Sequence, residues 1–504
     1  MDKDKRNKII IVLTIFSTIM ISIDIKLSAV ALACIVITIF SYNPILWIYF
    51  MTMYISFEVV ITNFLPTSLV GLVRYGVEGV SYFILLVSVI KAIINKRQIG
   101  LHKYDYIICF FILFTLISSL FNNVKIAIYI MGLRWIIRYV VIYYIIKVNN
   151  FNNRELKKLI KFFYMLVIFE IMLGLIQVVF KEQLKFILEP KTVELEYYTV
   201  KIAKIESRFS IYSTFGRYSE YGAFMMLGVI FLFCRYYFEK SKKNLYILGI
   251  GILALVLSYA RQNLLATVIS ILIFIYFNKE RVKISRLKVS IILFSIIMCG
   301  GLYLMSSDFQ VGKGITTEGI SQRFLSIFSK EFIMSDYNGK GRSYFYTTVN
   351  KKFIESKPLF GYGVGMYGTE SAIRYDKSVY EKLDIPTQFS MDVYWTSILG
   401  QVGIVGLILL IKIYSSFFSS TKNYKEITNK EYRFISVYIR ILFISLMICG
   451  FFSSNLSDRY QAFYTWMFFG IYDNLRNNYM MGNIYEDEKE KSICIKNNNC
   501  FNGD

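Results

Sequence analysis

The sequence predicts an all-α integral membrane protein, a polytopic bundle of about 12–14 transmembrane helices with one large external loop. Three observations carry that prediction. First, 55% of the 504 residues are hydrophobic, 18% are charged and the mean hydropathy is +0.48, whereas soluble domains hold about 25% charge. Second, apolar runs such as "IIIVLTIFSTIMISI", "YIICFFILFTLISSLF" and "VSIILFSIIMCGGLYLM" recur from end to end, each approaching the ~20 residues a helix needs to cross the hydrocarbon. Third, basic residues concentrate in every second loop: "MDKDKRNK", "KAIINKRQIGLHK", "KVNNFNNRELKK", "RYYFEKSKK", "NKERVKISRLK" and "KNYKEITNKEYR". Cytoplasmic loops carry that bias. Unpaired backbone groups are costly in lipid, so helices are the expected spanning form, and strand-period alternation for a barrel is lacking.

Fitting the runs to the charge alternation gives about 14 spans with both termini cytoplasmic. Their starts fall near Ile9, Leu27, Ile45, Leu69, Tyr106, Lys125, Leu159, Ser219, Leu245, Asn263, Lys288, Asp392, Phe434 and Gln461. The runs flanking "SYARQN" read either as a tight hairpin or as one broken span. The chain divides into N-terminal helices (1–305), an external loop (306–391), C-terminal helices (392–475) and a tail (476–504) whose end, "EDEKEKSICIKNNNCFNGD", reads as disordered. A shorter external connection runs from Lys181 to Tyr218. Within the large loop, "ISQRFLSIFSKEFI" has the pattern of a surface-lying amphipathic helix. The first run lacks a small-residue cleavage site and reads as a retained anchor.

The net charge of +22 does not indicate nucleic acid, because its placement in alternate loops suits anionic membrane lipid. Cys34, Cys109, Cys234, Cys299 and Cys449 lie in apolar runs as small hydrophobes, and "CIKNNNC" lacks zinc-ligand spacing. His102 sits in a basic cytoplasmic loop, on the wrong side for external chemistry.

"GYGVGMYG" contains a literal G-x-G-x-x-G at Gly363–Gly368. A dinucleotide fingerprint follows a strand and opens a helix. Here the glycines follow a proline-containing turn in the external loop, so the nucleotide reading fails. They permit either a tight backbone path near a ligand or a purely structural turn.

Arg208, Arg217, Glu220, Arg261, Arg342 and Asp392 all fall on the external side of this topology. Arg261, in "VLSYARQNLLATV", is either a snorkelling interfacial side chain or an anion clamp, since guanidinium pairs bidentately with phosphate and keeps its charge. Arg134 and Arg138 share one helix face and would meet either a buried acid such as Glu170 or a lipid headgroup. Arg74 and Glu78, at i,i+4, read as a buried ion pair. Tyr362 and Tyr367 offer flat amphipathic rings to a sugar or ordinary interfacial placement.

Three segments, "VLSYARQNLLATVISILIFIY", "GRSYFYTTVNKKFIESKPLFGYGVGMYG" and "DVYWTSILGQVGIVGLILLI", resemble in order and spacing the bacterial O-antigen polymerase and O-antigen ligase superfamily. That family shows a serine-arginine motif in one span and an arginine ahead of a P-L-x-G-x-G-x-G turn in a large external loop. The next span begins near G-x-x-G. The resemblance covers roughly Arg208 to the C-terminus. Arg261 looks like the motif arginine, although Ala260 and Gln262 depart from S-R-G, and Arg342 looks like the loop arginine. Asp392 falls where ligases usually carry histidine, which favours the polymerase branch.

The resemblance implies a bacterial cytoplasmic membrane glycosyltransferase. It would polymerise oligosaccharide repeat units carried on undecaprenyl pyrophosphate, at the outer face, into surface polysaccharide such as O-antigen, capsule or exopolysaccharide, with no cofactor and no metal. Arg261, Arg342 and Asp392 would be catalytic. Arg208, Arg217, Gly361, Gly363, Gly365, Tyr362 and Tyr367 would bind substrate, and a chain-length regulator and a flippase are the partners such a polymerase implies. Ligase-type transfer to another acceptor and a flippase or transporter are the alternatives. Arg134 and Arg138 speak for the transporter, while the absence of an internal repeat speaks against it.

Overall fold

A computed structural model describes residues 37–190, 210–278 and 330–496. The expected spans at Ile9, Leu27 and Lys288, together with Arg208, lie outside these residues. All regular structure among them is helical. The principal helices are α1 (Pro44–Asn63), α2 (Thr67–Ile94), α3 (Lys103–Phe121), α4 (Ile126–Ile136), α5 (Val140–Asn149), α6 (Asn153–Val179), α7 (Tyr218–Phe238), α8 (Lys242–Leu257), α9 (Arg261–Phe277), α10 (Tyr394–Ser420), α11 (Lys430–Cys449) and α12 (Arg459–Lys496).

Among the described residues seven helices are long and apolar enough to cross a membrane, or eight if α4 and α5 form one bent span. The protein is thus a polytopic all-α membrane protein. Two of the expected elements take a different form, and a third settles on one of its two readings. The span expected from Lys125 is two helices bent by 68°, because Tyr139 adopts a left-handed backbone at φ 63°. The "SYARQN" segment is a hairpin, with α8 ending at Leu257 and α9 opening at Arg261. The tail expected to be disordered from residue 476 continues α12 as helix to Lys496, consistent with its run of helix-favouring Glu and Lys.

Contacts sort the helix ends into two layers. In one, Asn63 donates to the Ile187 and Glu189 carbonyls (2.9 and 2.8 Å), and the Ile211 amide donates to the Leu257 carbonyl. In the other, Lys91 reaches the Ser41 carbonyl at 2.7 Å, Arg97 the Asn149 carbonyl at 2.8 Å, and Lys157 pairs with Glu431 at 2.6 Å. This second layer holds the basic loops expected to be cytoplasmic.

Between the layers the core is aromatic. Phe163 meets Phe224, Phe231, Tyr464 and Phe468 at 4.9–5.9 Å between ring centroids. Close helix approach uses small residues, as membrane packing demands: Gly228 faces Val167 and Gly222 faces Ala260. The loop 330–393 has its own smaller core of Phe345, Val349, Phe353, Tyr367, Tyr380 and Ile385, seated on Ile128 of α4 and Leu399 of α10. Burying each such side chain stabilises by about 1.5–3 kcal/mol.

Candidate functional site

Arg342 opens a helical rod that continues through a π turn (Phe345–Val349) to Ser356. Its start is fixed by Asp336, whose carboxylate accepts the Ser343 amide at 2.8 Å and whose carbonyl accepts the Gly341 amide at 2.7 Å. At the other end of the loop, Asp392 closes a short turn (Ser390–Asp392) two residues before α10. The structure brings these termini together, with Arg342 Nη2 4.0 Å from Asp392 Oδ2 and both side chains partly exposed. Tyr346, one turn along the rod, donates its hydroxyl to the Phe451 carbonyl at 2.7 Å. Burial raises its pKa and the Arg342 charge lowers it. The rod is thereby tied to the 450–458 connection between α11 and α12.

The glycine turn is seated against the bundle. The amides of Tyr362 and Gly363 donate to the Gly400 and Gln401 carbonyls (2.9 Å each). The Gly365 amide meets Gln401 Oε1 at 2.8 Å and the Val364 amide meets Ser119 Oγ at 3.0 Å. The counterpart is a kink in α10 at Gly403, φ 66°. A Cβ on Gly361 would lie 2.6 Å from the Gly403 nitrogen, and one on Gly365 would lie 2.4 Å from the Ile128 carbonyl oxygen. The turn therefore threads between α4 and α10, and the amides of residues 362–365 are spent on protein acceptors. Tyr362 and Tyr367, expected to present open rings, are 5% and 0% exposed. Tyr367 packs edge-on to Phe353 at 4.7 Å, so these rings form the loop core. Through these contacts Gly361, Gly363, Gly365, Tyr362 and Tyr367 hold the loop on the bundle.

Arg261 lies in the same layer. It is exposed at the first turn of α9, following Tyr259 in the left-handed region at φ 58°. Ala260 beside it packs on Gly222 of α7, and Asn263 donates to the Ser219 carbonyl at 3.4 Å. Arg217 lies 3.9 Å from Glu220, one turn into the same helix. Asp458 faces the charges of Arg459, Arg138 and Arg217. Burial raises its carboxyl pKa and these cations oppose the rise.

The arginines expected to pair otherwise join this layer. Arg74 and Glu78 do not pair with each other. Arg74 meets Glu58 at 2.8 Å, and Glu58 also holds Arg459. Glu78 is held by Arg134 and Arg138, with Arg134 Nη2 2.8 Å and Arg138 Nη2 2.6 Å from its Oε1. The i,i+4 partners diverge because each carboxylate finds a guanidinium on a neighbouring helix that presents a better fork. Glu170, the acid considered for Arg134 and Arg138, instead accepts from the Ser213 and Thr214 hydroxyls at 2.6 and 2.7 Å. Glu58, Asp458 and Arg459 were not expected at the site. Their signals were a carboxylate inside the apolar "YISFEVVIT" and the adjacent acid and base of "LSDRYQ".

The described residues thus form a polytopic all-α membrane protein with a folded loop and several arginines gathered in one layer. Residues 245–411 match the family model described as O-antigen ligase (Wzy_C). The match supports the O-antigen ligase and polymerase superfamily, and with it lipid-linked glycan transfer in general by a membrane glycosyltransferase-like enzyme. Arg261, Arg342, the glycine turn and Asp392 fall inside the matched segment, whereas Arg217 and Asp458 fall outside it. No curated protein matches the chain.

Proposed function

We propose that the protein polymerises oligosaccharide repeat units carried on undecaprenyl pyrophosphate, at the outer face of the cytoplasmic membrane. The observation that carries this reading is the meeting of Arg342 with Asp392 at 4.0 Å, a cation and a carboxylate brought together in the segment that matches the family. In the reaction, a hydroxyl of one repeat unit attacks the anomeric carbon of another. The new glycosidic bond forms as the bond to pyrophosphate breaks, the lipid pyrophosphate leaves, and the hydroxyl proton passes to Asp392. Fixed cations stabilise the charge that develops on the leaving group. Arg342 supplies one and Arg261 a second, with Arg217 and Arg208 assisting, so no metal is required. The Arg134–Arg138 pair, which spoke for a transporter, is engaged with Glu78 beside Arg74 and Tyr139.

A second reading is favoured by the description of the matched family itself: ligase transfer of finished glycan to another acceptor. Reconstitution with a synthetic lipid-linked repeat unit separates the readings. A ladder of longer lipid-linked products is the expected result. Product formed only on an added second acceptor would establish the ligase, and unchanged substrate crossing the bilayer would establish the flippase.

A further inference from the structure

The glycine turn leaves one depression open beside α3. Phe121 and Asn122 at the end of that helix, with Lys357, Pro358, Leu359, Phe360 and Gly361, enclose about 410 Å³. Phe121 is 75% exposed, Leu359 56% and Phe360 40%, so the walls are apolar and reachable from the side. Phe360 stacks on Phe114 at 5.5 Å and meets Phe121 at 5.9 Å with the two ring planes tilted by 53°, so aromatic rings form one side of the groove. The groove lies where α3 ends, in the layer that carries Arg342.

Lys357 lines the groove, and a second cation, Lys382, lies near it. Lys357 Nζ donates to Asn122 Oδ1 and lies 5.0 Å from the Tyr362 ring centroid, with Lys382 Nζ 5.8 Å from the same ring. Desolvation, followed by the Lys382 charge, holds the Lys357 pKa below the usual lysine value. An anion beside Lys357 would offset the Lys382 repulsion.

We propose that this groove seats the lipid of the acceptor substrate, with the first units of its prenyl chain on Phe121, Leu359 and Phe360 and its pyrophosphate at Lys357. The assignment rests on the polymerase reading and deepens it, because that chemistry demands two lipid seats a set distance apart. The donor's pyrophosphate is the leaving group and sits at the reaction centre. The acceptor attacks through the end of its repeat unit remote from its lipid, so its own pyrophosphate must lie one repeat unit away. The rod from Arg342 to Ser356 has that form. Its two ends carry Arg342 and Lys357, and at about 1.5 Å per residue it separates them by roughly 20 Å.

The test is photolabelling of the full-length protein in nanodiscs by a diazirine-bearing prenyl pyrophosphate, read by peptide mapping. Label should concentrate on the peptides holding Phe121 and residues 358–361. Unlabelled prenyl pyrophosphate should displace it, and an equal amount of phosphatidylglycerol should not. Lys357→Gln should weaken labelling about tenfold through loss of a charge-assisted contact, while Lys357→Arg retains most of it. In turnover, Lys357→Gln should raise the KM for acceptor and leave kcat unchanged. Label spread evenly over lipid-facing helices, or displaced equally by phosphatidylglycerol, would overturn the seat. Arg342→Ala, which should slow transfer by ~10²–10³, should leave groove labelling intact. Labelling of the groove with no polymer from any lipid-linked repeat unit would retire the polymerase reading and the acceptor role, yet leave the prenyl pyrophosphate site standing.

Discussion

Arg342 and Asp392 face each other across the two ends of the external loop, with Nη2 4.0 Å from Oδ2. At that distance and with both groups partly exposed, the pair contributes little to stability, so its substitution should report on chemistry. Arg342→Ala is expected to lower the rate by ~10²–10³. Arg342→Lys, which keeps the charge and loses the fork, should recover only part of it. Asp392→Asn should also slow transfer, and the double variant should lose less than the product of the single losses, because groups acting as a unit are not additive. Initial rates on purified protein check this; a full rate in Asp392→Asn would move the proton elsewhere.

Glu78 behaves oppositely. Two guanidiniums and the Tyr139 hydroxyl converge on its Oε1. Removing the carboxylate leaves two little-exposed cations without their counter-ion, at a cost of about 3–5 kcal/mol. Glu78→Gln should therefore lower the yield of folded protein on detergent chromatography while the folded remainder keeps its specific activity. Glu78→Gln combined with Arg138→Leu should fold better than Glu78→Gln alone. Equal yields for the two would show that the network is not holding α4 to α2.

The glycine turn gives a steric prediction. Gly365 has φ +84°, and a Cβ there would lie 2.4 Å from the Ile128 carbonyl oxygen; Gly403 has φ +66°, and its Cβ would lie 2.4 Å from the Leu359 carbonyl oxygen. Strained backbone alone costs about 1–3 kcal/mol, so Gly365→Ala and Gly403→Ala should both deplete folded protein. Gly76 in α2 has no atom of the described residues within 4 Å of an added Cβ. Gly76→Ala should be neutral or raise the melting temperature.

The class of fold was legible in the sequence because hydropathy and loop charge report directly on the bilayer. The expected start at Ile45 lies beside the observed Pro44, and that at Asn263 lies beside Arg261. Periodicity could not show the bend between Ile136 and Val140, since the apolar pattern runs on unbroken while one tyrosine turns left-handed. At the site, motif order pointed to Arg342 and Asp392, which the fold does bring together. It could not show that Glu78 belongs to Arg134 and Arg138, because i,i+4 spacing describes one helix and the better partners came from another. Nor could the glycine pattern declare its neighbour. Whether such a turn approaches a ligand or a kinked helix depends on Gly403, far along the chain.

Topology can be checked at positions the fold leaves accessible. Gly363 is buried in the turn, so a probe there would report burial and not sidedness. Tyr375 is 62% exposed in the large loop expected to be external, and Lys96 is exposed between α2 and α3. In a cysteine-free background, Tyr375→Cys should react with an impermeant maleimide on intact cells, and Lys96→Cys only after the membrane is opened. The reverse pattern would place the arginine-rich face in the cytoplasm and remove the basis for transfer at the outer surface.

Arg261 separates a clamp from a scaffold. Arg261 is exposed at the first turn of α9, next to Ala260 and Asn263, which meet the first turn of α7, and helix amides at such a terminus add positive potential toward an anion. If it holds the donor pyrophosphate, Arg261→Ala should cost ~10²–10³ in rate, Arg261→Lys should restore part, and excess chelator should leave the wild-type rate unchanged. If it only snorkels at the interface, both variants should turn over nearly normally. Arg74→Ala is the control, since Arg74 is engaged with Glu58. Its loss should lower folded yield modestly, because Glu58 keeps Arg459, without changing turnover per folded molecule. Yield and specific activity must be measured separately for every variant. Near-normal specific activity in both Arg261→Ala and Arg342→Ala would leave the proposed transfer without its cations, whatever family the segment 245–411 matches.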